Sequence, residues 1–281
     1  MKLLRVAQEI WFKPWVITPA MHRTISDVVS DHISGKAHSP GGRAEMFPEQ
    51  EDDTSDEMYS VDSHGIATVN VIGVVGKRLS SFEKMSGATD IEDFTAALNV
   101  AVNDSNVRAV LITFDTPGGS VAGIPEAAQQ IRIASKKKPV CAFVDGLCCS
   151  AGYWLASQVD AIFATESSEV GSIGVYQAFL DQSRNYEMEG YKVELFTTGE
   201  YKGMGISGRP LTDAQRDDIQ DGVNKVFAWF QRDVRFTRSI PDEDMRGQTW
   251  FAQDAKGRGL IEYVGTKSDA LEELKARIKE A

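Results

Sequence analysis

Residues 139–157 read PVCAFVDGLCCSAGYWLAS, an apolar run that leads through a turn with two cysteines and a serine into a helical pattern. Comparable buried-strand patterns occur at residues 66–75, 107–114 and 161–164. Helical periods lie between or after them, at residues 90–102, 124–135 and 212–236. Strands that alternate with helices predict an α/β fold with a mostly parallel sheet and flanking helices.

Composition excludes several classes of partner. The chain has 281 residues, 42% hydrophobic and 25% charged side chains, and a formal net charge of -11. Such an acidic protein repels phosphates, so we expect no nucleic acid partner. With 3 cysteines, two of them adjacent, a reducing compartment is expected. Because no apolar run approaches the roughly 20 residues needed to cross a bilayer, neither export nor a membrane span is expected.

Three regions are predicted along the chain. Residues 1–37 form a small N-terminal helical arm, whose helix begins after Thr18. Residues 38–65 are rich in Pro, Gly and acidic side chains, and we expect an acidic flexible linker there. Residues 66–281 then form the α/β domain.

Two glycine-containing turns follow buried strands, and sites in α/β sheets are built at the carboxyl ends of strands. In DTPGGSVAG (115–123), Gly118 and Gly119 let backbone N–H groups approach a ligand closely, although a simple tight turn explains them as well. Ser150 falls near a helix N-terminus, where it is either a nucleophile or an N-cap.

A serine nucleophile needs a base to remove its proton. All 4 histidines precede Gly65, so a Ser-His-Asp triad is improbable. The same absence favours packing roles for Cys148 and Cys149. Lys202 stands in a glycine-rich loop after VELF (193–196), which we interpret as a strand, and it is a candidate base beside the alternative of a surface lysine. No zinc-ligand spacing or Walker loop occurs, so we expect no metal and no cofactor.

Five ordered motifs resemble the signal peptide peptidase A (SppA) family of serine peptidases, which has the ClpP/crotonase fold. They are TPGGSV (116–121), CCSAGYWLAS (148–157), VGSIGVY (170–176), GEYKGMGISGRPLT (199–212) and FAQDAKGRGLIEYVG (251–265). The resemblance implies that Ser150 is the nucleophile and Lys202 the general base. It also implies an oxyanion hole from the N–H groups of Gly119 and Ala151, with Gly118 in support and Ser172 orienting the lysine. The family commonly has Gly where this chain has Ala151.

The segment WFKPWVITPAMHRTI (11–25) resembles the front of phage head maturation proteases of that family. This resemblance implies a protease that cleaves scaffold or capsid proteins, in the host cytoplasm or the procapsid. It also implies a homo-oligomeric ring in which Ser150 pairs with Lys202 of a neighbouring subunit. The alternatives are a cytoplasmic SppA-like peptidase that degrades signal peptides or small peptides, an inactive shell component and, less favoured, a crotonase-type acyl-CoA enzyme.

Overall fold

A computed structural model describes residues 13–33 and 58–280. The main sheet is formed by the strands β2 (Ser60–Val61), β3 (Ile66–Ile72), β6 (Ala109–Thr116), β8 (Val140–Cys149), β9 (Ala161–Ala164), β10 (Glu169–Gly171), β11 (Thr249–Phe251) and β12 (Tyr263–Val264). Its strand order is β11-β10-β8-β6-β3-β2. In addition, β9 pairs with β8, and β12 pairs with β9.

The centre of this sheet is parallel. Strands β3, β6, β8 and β9 pair in parallel, β10 pairs in parallel with β8, and only β2 and β11 join antiparallel at the two ends of the described order. Their apolar side chains are buried on both faces, as the nearly continuous apolar runs require. The predicted α/β class, the mostly parallel sheet and four of the five predicted strands are confirmed.

Helices cover both faces of the sheet. On one face, an apolar cluster contains residues of the helices at Ile91–Asn103 (α3), Ile124–Ser135 (α4), Ala151–Ala156 (α5), Asp213–Thr237 (α7) and Ala252–Gly257 (α8). On the other face, a second cluster contains Ala270 and Leu274 of the helix Lys267–Glu280 (α9). The helices predicted at 90–102, 124–135 and 212–236 correspond to α3, α4 and α7. The helices are α1 (Pro19–Ile33), α2 (Ser81–Met85), α3 (Ile91–Asn103), α4 (Ile124–Ser135), α5 (Ala151–Ala156), α6 (Ser183–Met188), α7 (Asp213–Thr237), α8 (Ala252–Gly257) and α9 (Lys267–Glu280), with a 3₁₀ turn at Asp242–Asp244.

A second, smaller sheet lies beside the carboxyl ends of the parallel strands. Its order is β1-β7-β4-β5, from β1 (Trp15–Ile17), β7 (Gly118–Ser120), β4 (Val75–Gly76) and β5 (Thr89–Asp90). Strand β1 is antiparallel to β7, and β4 is parallel to it. The glycine-rich turn predicted from the sequence is therefore the central strand of this small sheet.

Two parts of the chain differ from the sequence predictions or fall outside the described residues. Residues 193–196 (VELF) do not form a strand, and Phe196 is 90% exposed, because no neighbouring strand of the described chain pairs with them. Residues 38–57, most of the predicted linker, and residues 1–12 and 34–37 of the predicted arm lie outside the described residues, while Ser60 and Val61 near the end of the linker form β2. The division into arm, linker and domain stays a prediction. In the described ranges, no helix is long and apolar enough to cross a membrane.

Candidate active site

Ser150 occupies the junction between β8 and α5. Its backbone has φ 55° and ψ -114°, a conformation that residues with a Cβ rarely adopt. The surroundings hold it there, since the Ser150 N–H donates to the Gly171 carbonyl at 2.8 Å and the Ser150 carbonyl accepts from the Trp154 N–H at 2.9 Å. A strained position of this kind is typical of functional sites.

The Ser150 hydroxyl has no hydrogen-bond partner among the described residues. The side chain is buried, with 1% of the residue exposed, and it makes no capping bond to α5 although it stands at the N-cap position. A buried hydroxyl without a partner costs free energy. The capping alternative therefore does not explain this serine.

Gly118 and Gly119 pass directly beside Ser150. Gly118 has φ 106°, and a Cβ there would lie 2.9 Å from the Ser150 Cβ and 2.2 Å from the carbonyl oxygen of Val16. A Cβ on Gly119 would lie 1.8 Å from the Val75 carbonyl oxygen. Only glycine allows this close approach, so the backbone itself lines this side of the site.

Thr116 fixes the glycine pair against α5, a role that the sequence reasoning missed. Its buried hydroxyl donates to the Gly73 carbonyl at 2.5 Å and accepts from the Gly118 N–H at 3.1 Å. Its methyl group packs on α5, where a Cβ on Gly152 would lie only 2.3 Å from it. The only available signal was its position at the start of the TPGGSV motif.

Ala151 and Ser172 both adjoin Ser150. Ala151 is buried and begins α5, so its N–H belongs to the first turn, where no helical carbonyl can accept it. Ser172 follows the Gly171 that binds the Ser150 N–H, has φ 54° and donates its own N–H to the Gln248 carbonyl at 2.6 Å. The structure thus brings Ser150, the glycine pair, Ala151 and Ser172 together.

Lys202 is not part of this cluster within one chain. It is exposed, in a loop held by hydrogen bonds from the Lys202 N–H to the Gly199 carbonyl (3.1 Å) and from the Thr197 hydroxyl to the Lys202 carbonyl (2.9 Å). Across residues 58–280, no hydrogen bond connects its amine to Ser150 or to Ser172.

The two adjacent cysteines are buried in the sheet. Burial raises the pKa of Cys149 to about 12 and raises that of Cys148 well above its ordinary value. The Cys149 thiol donates weakly to the Glu169 carbonyl at 3.7 Å. Because the thiolate is the reactive form, neither cysteine is suited to be a nucleophile. In the described part of the chain, no group of three His, Cys, Asp or Glu side chains could hold a metal ion.

Comparisons with known proteins show which family this chain belongs to. The model of peptidase family S49 matches residues 132–280. Capsid assembly protease C of Escherichia phage lambda and the head-tail preconnector protein GP5 of Enterobacteria phage P21 are each 29% identical to 74% of this chain. MJ0651, a Methanocaldococcus jannaschii protein whose name describes a protease, is 32% identical over 61%. The chain spans 48%, 42% and 56% of those proteins, respectively, which is about half their length.

Proposed function

Because this chain belongs to peptidase family S49, whose members have the ClpP/crotonase fold, we propose that it hydrolyses peptide bonds with Ser150 as the nucleophile. One observation carries the assignment. The Ser150 hydroxyl is buried and has no hydrogen-bond partner among the described residues, the backbone of Ser150 is strained, and two glycines lie directly beside it. Ser120 and Ser135 also have buried hydroxyls without a partner among the described residues, so it is the strained backbone of Ser150, together with the glycines beside it, that distinguishes this serine.

The reaction follows from the groups around Ser150. Its oxygen attacks the scissile carbonyl, and the negative charge that develops on the carbonyl oxygen is stabilised by the N–H groups of Gly119 and Ala151. One such donor typically contributes about 3 kcal/mol. A neutral lysine amine accepts the serine proton and later delivers it to the leaving amine. Water then releases the acyl group. Ser172 is the candidate for orienting the lysine.

We assign the base to Lys202 of a neighbouring subunit, and the position of α7 supports this. Near its C-terminal end, α7 packs against α5, the helix that follows Ser150. Phe230 stacks on Trp154 with ring centroids 4.5 Å apart, and the indole N–H of Trp154 donates to the carboxylate of Asp233 at 2.9 Å. The start of α7 at Asp213, where the Lys202 loop arrives, is 17 residues from Phe230, or roughly 26 Å along the helix. The loop is therefore attached well away from the chain's own serine.

The segment that carries Lys202 also exposes an unusual amount of apolar surface. Burying such side chains against a second copy would be favourable, since exposed contiguous apolar surface marks interaction sites. This surface supports a homo-oligomer, and we propose a ring in which each Ser150 meets a neighbour's Lys202. The exposed apolar residues of this segment are Leu180, Met188, Tyr191, Phe196, Tyr201 and Ile206, with 41% to 90% of each exposed.

For the substrate, we propose a capsid or scaffold protein of a phage. Support comes from the names of the two phage relatives, one of which is a capsid assembly protease, and from the fact that both align over most of this chain. The site of action would then be the host cytoplasm or the procapsid. A peptidase that degrades small peptides has the same chemistry and differs only in substrate.

A fluorophosphonate probe tests the nucleophile directly, because it forms a covalent bond with an activated serine. We expect labelling of the native protein at Ser150 and none in Ser150→Ala. Cys148→Ala and Cys149→Ala are matched controls from the same turn and should retain labelling. Absence of labelling in the native oligomer, with hydrolysis also absent, would support an inactive shell component instead.

A further inference from the structure

Strand β1 (Trp15–Ile17) is placed between two backbone segments that line the candidate site. On one side it runs antiparallel to β7, with Val16 opposite Gly119 and Ile17 opposite Gly118. On the other side the Trp15 N–H donates to the Tyr176 carbonyl at 2.8 Å, and the Tyr176 N–H donates to the Trp15 carbonyl at 3.2 Å. An extended peptide that binds by strand addition occupies this kind of position.

The register directs one carbonyl of β1 toward the proposed oxyanion hole. The backbone groups of Trp15 face Tyr176, and the Thr18 N–H donates to the Pro117 carbonyl at 3.0 Å on the β7 side. Since successive residues of a strand face opposite neighbours, the N–H and C=O of Val16 face Gly119. The Val16 carbonyl oxygen also lies close to Ser150. A Cβ built on Gly118 would lie 2.2 Å from the Val16 oxygen and 2.9 Å from the Ser150 Cβ, so both atoms adjoin the same place.

The side chains of β1 fill apolar pockets on both sides of the strand. Val16 is fully buried in the main core, while Trp15 and Ile17 form a separate cluster. The partners in that cluster include Met21 and Ile25 of α1, which follows β1 directly. Helix α1 therefore packs against β1, which itself lies beside Gly118 and Ser150.

We propose that Trp15–Ile17 is an intramolecular occupant of the substrate cleft, which covers Ser150 until a substrate displaces it. The inference rests on the proposed function, because it identifies the cleft with the peptide-binding site. The same register describes how substrates bind: as an extended strand between β7 and Tyr176, with an aliphatic residue at the Val16 position whose carbonyl faces the Gly119 N–H. Substrates with a charged residue at that position should be excluded, since the Val16 pocket is part of the apolar core.

Peptide binding tests the occupancy without needing catalysis. The probe is a fluorescein-labelled peptide of sequence KPWVIT, which copies residues 13–18. Val16→Asp in a Ser150→Ala background should release β1, and the probe should then bind at least about tenfold more tightly than to Ser150→Ala alone, because the cleft is open in a larger fraction of molecules. Arg23→Ala, on the exposed side of α1, is the matched control and should leave probe affinity unchanged. Equal affinity in all variants would overturn the proposal.

A reversible cross-link covers the case in which Val16→Asp does not fold. Trp15 and Tyr176 exchange two hydrogen bonds, so their Cα atoms are about 5.5 Å apart, within the range of a disulfide. In the double variant Trp15→Cys and Tyr176→Cys, oxidation should slow fluorophosphonate labelling of Ser150 at least about tenfold relative to the same protein after dithiothreitol. The single variants should not respond to dithiothreitol. Labelling equally fast in both redox states would overturn the proposal, whereas no labelling in any variant, with probe binding intact, would overturn the proposed function alone.

Discussion

Replacing Ser150 by alanine should remove activity. The same substitution should raise the stability of a chain whose Ser150 hydroxyl has no lysine partner from a neighbouring subunit. The hydroxyl of this serine is buried and has no partner among the described residues, so the folded state has lost its hydration without a compensating bond. Leaving such a group unsatisfied costs about 1–3 kcal/mol. The backbone strain at φ 55° is the same for serine and alanine, so the substitution changes the hydroxyl contribution only.

In a Lys202→Ala background, where no lysine of a neighbouring subunit can bond to the hydroxyl, we therefore expect Ser150→Ala to raise the free energy of unfolding by about 1.5 kcal/mol, which corresponds to a rise of about 3–6 °C in Tm for a domain of this size. Thermal unfolding followed by fluorescence or calorimetry measures the shift. Protein concentration has to be equal for all variants, because association with other subunits also raises Tm.

Ser157 is the matched control, at the other end of the same helix α5. It is fully buried, and its hydroxyl donates to the Trp154 carbonyl at 2.8 Å and accepts from the Gln158 amide. Ser157→Ala should lower stability by about 1–2 kcal/mol, because these partners lose their bonds. If Ser150→Ala lowers Tm as Ser157→Ala does, the Ser150 hydroxyl has a partner in the folded protein and the argument from its isolation is wrong.

Three further outcomes are expected. Gly119→Ala should abolish Ser150 labelling or folding, since the new Cβ would lie 1.8 Å from a carbonyl oxygen, whereas Gly222→Ala, with open space in α7, should stabilise the protein by up to about 1 kcal/mol. Mixed oligomers of Ser150→Ala and Lys202→Ala subunits should regain part of the hydrolysis, and mixing without any recovery would mean that each dyad is built within one chain. Because burial raises the pKa of Cys149 to about 12, iodoacetamide at pH 8 should modify this thiol only after unfolding, as judged by mass spectrometry, and rapid modification of the folded protein would contradict its burial.

The strands and helices of the core could be read from the sequence because their apolar periodicity is strong. Runs such as VRAVLITF give β6, and the Thr212 cap that precedes α7 is present as a capping box. Apolar periodicity and helix caps are encoded within the segment that forms the strand or helix, so they can be recognised without knowing its neighbours. The segment VELF shows their limit, because a short run with three apolar residues forms a strand only when another strand is there to pair with it.

The candidate site could be predicted only in part, for a similar reason. The motifs place Ser150 beside Gly118 and Gly119, and the structure has these residues together. The roles of Thr116 and of β1 depend on contacts between segments far apart in sequence, such as Val16 with Gly119, and no periodicity reports them. The pairing of Lys202 with Ser150 stays a prediction, since no hydrogen bond joins the two within the described residues of one chain.

The pair of glycines beside Ser150 has a consequence for how selectively this protein acts. Gly118 and Gly119 present only backbone to whatever lies on β7, so that side of the cleft recognises any extended chain and distinguishes poorly between sequences. Discrimination must come from the pockets that the side chains of β1 fill, such as the apolar pocket of Val16, and from circumstances outside the site. A site that recognises mainly backbone and hydrolyses peptide bonds, as proposed for Ser150, is safe for a cell mainly when it is confined with its targets or becomes active late, after the proteins around it have assembled.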